Sequence, residues 1–115
     1  MASRARRLAG AQVPVVPSPT PYIIIWLSAA AIDRRRIVRY IVEKSREPRV
    51  AVAFLDALMG KIDLLAHDTV QFKQGRLAGT REYVVHPNYI VVYRVKDATR
   101  QVQIIRLWSV WNQPD

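Results

Sequence analysis

The groups in this sequence that can carry chemistry are few, and most of them are cations. Two histidines, His67 and His86, are too few for a histidine-rich metal site, and no carboxylate joins them at a recognisable ligand spacing. Cysteine is absent, which excludes a disulfide framework, a thiolate metal site and a thiol nucleophile, and fits a reducing cytoplasm. What remains is arginine and lysine: 18 basic residues against 9 acidic ones, a formal charge of +9. Setting aside the first 21 residues with Arg4, Arg6 and Arg7, 15 basic residues still face the same 9 acidic ones. The body of the chain is therefore basic in its own right. That points to a polyanion or an acidic partner, with no metal and no cofactor expected, against the plainer reading of a solvated arginine-rich surface.

The elements that must position these cations fit one domain of 115 residues, half of them apolar. Residues 1–21 read as an arginine- and proline-rich tail, because Pro14, Pro17, Pro19 and Pro21 favour extended, unpaired backbone. Residues 22–115 are the domain. The run Tyr22–Leu27 is about half the length a membrane span needs and reads as a buried strand. Ser28 is placed to cap a helix running from Ala29 to about Lys44, with Ala30, Ile37 and Ile41 on its apolar stripe. Arg34, Arg35, Arg36 and Arg39 fall largely outside that stripe, as a solvated face would. Pro48 suits the first turn of a second helix whose Ala51, Phe54, Leu55, Leu58, Ile62 and Leu65 follow helical spacing. Residues 67–80 show no period.

The period then becomes two. Arg81–His86 is a strand, Pro87-Asn88 a turn, Tyr89–Lys96 a second strand and Gln101–Trp108 a third. Tyr89, Val91, Tyr93 and Val95 share one face of the middle strand, and Ile90, Val92, Arg94 and Lys96 the other. The sequence thus predicts an α+β fold of order β-α-α-β-β-β, a helical hairpin covering one face of a small antiparallel sheet and leaving the other partly open.

Particular words accompany that order. They are Gly79-Thr80-Arg81-Glu82, the pair Val84-Val85, Pro87-Asn88-Tyr89 and Val92-Tyr93-Arg94-Val95, followed by Val102–Trp108 as a closing strand. Upstream stands Trp26-Leu27-Ser28-Ala29-Ala30-Ala31. Over roughly residues 22–112 the chain resembles the RelE/ParE superfamily, the toxins of type II toxin–antitoxin pairs, which include plasmid stabilisation proteins. The resemblance implies a growth-inhibiting cytoplasmic toxin that is neutralised by a cognate antitoxin, has no membrane association and can enter higher-order toxin–antitoxin oligomers.

Members of that superfamily act in two ways, by cutting messenger RNA on the ribosome or by poisoning DNA gyrase. Cleavage needs a group to activate a ribose hydroxyl, a cation for the phosphorane and an acid for the leaving oxygen. The resemblance offers Arg81, Tyr83, His86, Arg94 and Arg106 as the catalytic candidates. The set looks incomplete, because Ile90 replaces an arginine frequent in RelE-like chains and Ser109 stands where many relatives have a histidine. His86 beside Pro87 reads first as a turn residue. Arg81 and Glu82 also fit an ordinary exposed strand pair. For binding an antitoxin or a target, the expected contacts are Arg81, Arg94, Arg106 and Trp111. The expectation is a ParE-like, non-enzymatic gyrase poison, with a RelE-like ribosome-dependent endoribonuclease as the alternative and a degenerate, non-toxic member as a third.

Overall fold

A computed structural model describes residues 21–67 and 73–110. The tail expected over residues 1–21 lies, but for Pro21, outside the described residues, as does Trp111. Strand β1 is Ile23–Trp26, followed by helices α1 (Ser28–Ser45) and α2 (Pro48–His67). A two-residue strand β2 (Lys73–Gln74) precedes β3 (Arg81–His86), β4 (Tyr89–Lys96) and β5 (Gln101–Ser109). They form one sheet in the order β1-β5-β4-β3-β2. The expected α+β order holds, with β2 as an addition inside the stretch that showed no period.

The sheet is mixed, which corrects the antiparallel expectation. β3, β4 and β5 form the antiparallel meander that short connections dictate. β1 instead lies parallel to β5, with Ile23 opposite Gln101 and Trp26 opposite Ile104. A parallel neighbour requires a long crossover, and the helical hairpin is part of it. β1 is also an edge strand and not a buried one. Ile23 is 63% exposed, while Ile24 and Trp26 pack on the core.

Ser28 does not cap α1. The N-cap is Leu27, with no side-chain hydrogen bond. Leu27 is still tied to the sheet, its N–H donating to the Ile104 carbonyl at 3.0 Å, while its own carbonyl accepts from Ala31 at 3.0 Å. The helix therefore starts one residue early and draws its first restraint from strand β5. It stops at Arg46, which adopts the left-handed conformation at φ 59° and donates to the Val42 carbonyl. In α2 the predicted stripe is the buried one: Ala51, Leu58, Ile62 and Leu65 are all buried.

The link into β3 depends on two glycines. Gly79 sits at φ +73°, a region that disfavours any Cβ. A Cβ at Gly75 would collide with the Thr80 hydroxyl, and the Gly75 N–H donates to the Thr80 carbonyl at 2.8 Å.

The core lies between the helices and one face of the sheet. Leu58 and Ile62 meet Val85, Val91, Tyr93, Val102, Ile104 and Leu107, each aliphatic side chain contributing about 1.5–3 kcal/mol through its burial. The other face is more covered than predicted. Ile90, Val92 and Trp108 are also buried, although they lie outside that cluster. Val95, by contrast, is 37% exposed near the end of β4.

Candidate functional site

Two irregularities in the sheet decide where its cations go. Between β4 and β5 the register jumps, with Val92 opposite Arg106 but Tyr93 opposite Ile104, so Ile105 is an extra residue. The parallel pairing of β1 also ends at Trp26 with Ile104, whereas β5 continues to Ser109. The backbone N–H of Leu107 would otherwise face an edge with no strand beside it. Asp33 of α1 fills that gap. One carboxylate oxygen accepts from the Leu107 N–H at 2.9 Å and from Arg106 Nε at 2.8 Å, and the other accepts from Arg106 Nη2 at 2.9 Å.

Asp33 is 7% exposed. A buried carboxylate is tolerable only when paired and hydrogen-bonded, and here both oxygens are used. These hydrogen bonds raise the Arg106 pKa above its ordinary value, against the lowering effect of burial. Arg106 is thus a cation locked to a helix and is not available as a general acid or base near neutral pH. The sequence pattern did not single out Asp33, although its spacing from Ala30 and Ile37 put it on the apolar stripe.

Glu82 is the second buried carboxylate, at 4% exposure. This overturns the reading of Arg81 and Glu82 as an exposed pair. Glu82 accepts from the Arg76 backbone N–H at 3.0 Å and forms an ion pair with the Arg76 guanidinium at 3.2 Å. The Arg76 guanidinium also lies 5.6 Å from the centre of the Trp108 ring. Arg76 and Glu82 anchor the glycine-containing link on the sheet.

The remaining candidates do not gather into one constellation. Arg81 is opposite Tyr93, whose ring belongs to the helix-side core, and Arg94 follows Tyr93 and so takes the opposite face. Tyr83 packs against the core. His86 is held in the hairpin turn. Its Nδ1 accepts from the Asn88 N–H at 3.0 Å, and its ring sits edge-on to Phe54 at 5.1 Å. Burial, reinforced by Tyr40, raises the pKa of the neighbouring Tyr89.

A cleft of about 50 Å³ beside His86 is lined by Phe54, Ala57, Leu58, Lys61 and Val85. It is far smaller than the roughly 300–1,000 Å³ of small-molecule sites. Among the described residues, no group of three His, Cys, Asp or Glu could hold a metal ion. No described helix is long and apolar enough to cross a membrane.

The helix arginines also divide. Arg34 stacks on Trp26, its guanidinium 4.3 Å from the ring centre. Arg35, Arg36 and Arg39 are exposed.

Comparison with known proteins gives this arrangement a family. Residues 24–111 match the family described as the ParE toxin of the type II toxin–antitoxin system, parDE. The chain belongs to that family, and it is a toxin of the type II toxin–antitoxin class.

Solved structures share the fold. A chain of the chromosomal ParDE toxin–antitoxin system from P. aeruginosa superposes with a TM-score of 0.69 at 19% identity, covering 80% of this chain and 99% of its own. A chain of the RelBE toxin–antitoxin complex from Mycobacterium tuberculosis gives 0.52 at 22% identity, with coverage of 78% and 92%. One from the E. coli DinJ–YafQ complex gives 0.51 at 18% identity, with coverage of 77% and 92%. No curated protein sequence matches significantly.

Proposed function

We propose that this toxin acts as a ParE-type poison of DNA gyrase and is neutralised by a cognate antitoxin, without catalysing RNA cleavage. The observation that carries this reading is the way the polar candidates are used. A ribonuclease needs a proton-transferring group and a charge-bearing group within hydrogen-bond reach of one phosphate. Here His86 is held in a turn and the half-buried Tyr83 packs against the core. Arg106 is committed to Asp33, and Arg81 and Arg94 point to opposite faces. The membership of the ParE family supports the same choice.

In this reading Arg81, Arg94 and the exposed part of Arg106 contribute charge and contact to a partner. Trp111 is proposed as an apolar anchor for the antitoxin or the target, since aromatics are enriched at interface hot spots. Residues 1–21 are proposed to be dispensable for folding and antitoxin binding, because their proline density suits a tail.

Primer extension on cellular messages after induced expression tests the mode of action. The expected result is growth arrest without codon-phased cuts, and toxicity retained by His86→Ala and Tyr83→Phe. Ribosome-phased cleavage that disappears with His86→Ala or Arg81→Ala would overturn the reading, because removing a proton-transferring group lowers such a rate by about 10²-fold or more.

A further inference from the structure

The outer face of α1 carries a run of arginines with no ion pair among the described residues. Arg35 and Arg39 are one turn apart, and Arg36 lies between them in sequence and one turn after Ile32. All three arginines are exposed. Among the described residues, no ion pair involves any of them. From Ser28 to Val42 the helix has one carboxylate, Asp33, which is turned inward and occupied by Arg106. Glu43 follows one turn after Arg39 but forms no ion pair with it. The fold thus withdraws the counter-charge nearest the arginine run and leaves the three arginines facing water.

Structure alone gives no reason for this. Like charges one turn apart weaken a helix, and α1 has neither an acidic first turn nor a side-chain cap to offset them. Arginine at regular helical spacing on a rigid element suits oxyanions, because its planar fork binds phosphate in two-point fashion. Binding single-stranded nucleic acid would call for interleaved stacking aromatics. The exposed side of α1 has only Tyr40, and Lys44 lies 5.7 Å above its ring. A stack-free row of forks matches the outer phosphates of a duplex.

We infer that Arg35, Arg36 and Arg39 on α1 form a docking surface for the phosphate backbone of double-stranded DNA. Binding is independent of base sequence, since the surface offers cations for phosphates and lies on the outside of the helical hairpin. The inference goes beyond the choice of toxic target, because it concerns this chain and DNA alone.

The test is fluorescence anisotropy of a labelled mixed-sequence duplex titrated with the full chain at several salt concentrations. Arg35→Glu/Arg36→Glu/Arg39→Glu is compared with Arg49→Glu/Lys61→Glu/Lys96→Glu, which makes the same charge change at other exposed positions. Each phosphate contact contributes roughly 0.9 to the slope of log affinity against log salt. The α1 variant should therefore lose about 2–3 from that slope and bind at least about tenfold more weakly at low salt. The second variant should keep the wild-type slope to within about 1.

Circular dichroism checks that each variant folds. If the glutamate triple does not, the glutamine triple at the same three positions should show the same loss of slope. Equal losses in both variants would overturn the inference, as would a wild-type isotherm for the α1 variant. Tighter binding of a glutamate-rich peptide than of the duplex, lost in the α1 variant, would assign the face to an acidic protein and also overturn it. All these readouts are independent of gyrase, so their failure leaves the proposed target standing.

Discussion

Arg106 and Arg76 are chemically identical to the outer arginines of α1, yet the fold treats the two groups in opposite ways. Arg106 and Arg76 each have a buried carboxylate, Asp33 and Glu82, and each tethers one part of the molecule to the sheet. Arg35, Arg36 and Arg39 have no such partner among the described residues and stand in solvent. The difference lies in the carboxylates. An acid on an apolar stripe or inside a strand is drawn under the surface and needs a cation there, so it selects which arginines become structural. The arginines left over carry the protein's net charge outward, where it is available to partners.

Removing the carboxylate of the first pair should have the largest effect. Asp33→Ala leaves the Leu107 N–H unpaired and Arg106 without its counter-charge, so it should cost about 2–4 kcal/mol in urea unfolding. The figure is below that of a fully buried pair because the Arg106 side chain is 38% exposed and can recover water. If Asp33→Ala unfolds like the wild type, the clasp is not holding α1 to β5.

Arg106→Ala against Arg35→Ala probes the two sets side by side. The first should cost about 1–3 kcal/mol, since it strands a buried carboxylate that keeps only its bond to Leu107. The second should stay within about 0.5 kcal/mol, as exposed substitutions usually do. Equal costs, measured by the same unfolding curves, would remove the distinction between the two sets. It follows that weakened partner binding in an Arg106 variant has to be corrected for lost stability before it is read as a contact.

The smallest expected change is a gain. Gly60 is an exposed interior residue of α2 whose added Cβ would meet nothing within 4 Å. Gly60→Ala should therefore stabilise the chain by about 0.5–1 kcal/mol. No gain, or a loss, would show that this face of α2 is not open.

These contrasts also explain what could be read from the sequence. The strand bounds Arg81–His86 and Tyr89–Lys96 were legible because alternation and the Pro87-Asn88 turn are local signals. The stripe of α2 was legible for the same reason. The parallel pairing of β1 was not, because direction depends on which strand becomes a neighbour after a long crossover. The extra residue at Ile105 has no local mark either, and it shifts the face assignment of everything after it. Among the site residues, Arg106 was recognisable as a strand cation, but its use depended on Asp33, 73 positions away. The polar break at Asp33 in the stripe of Ala30, Ile37 and Ile41 was the one visible clue.

In the proposed mode of action this basic sheet works by contact, without a catalytic site. The decisive test adds the purified full chain to DNA gyrase supercoiling a relaxed plasmid, and in parallel to a cell-free translation reaction. Contact poisoning predicts that supercoiling is inhibited while translation continues with intact messages. Undisturbed supercoiling, together with arrested translation and cut messages, would contradict it.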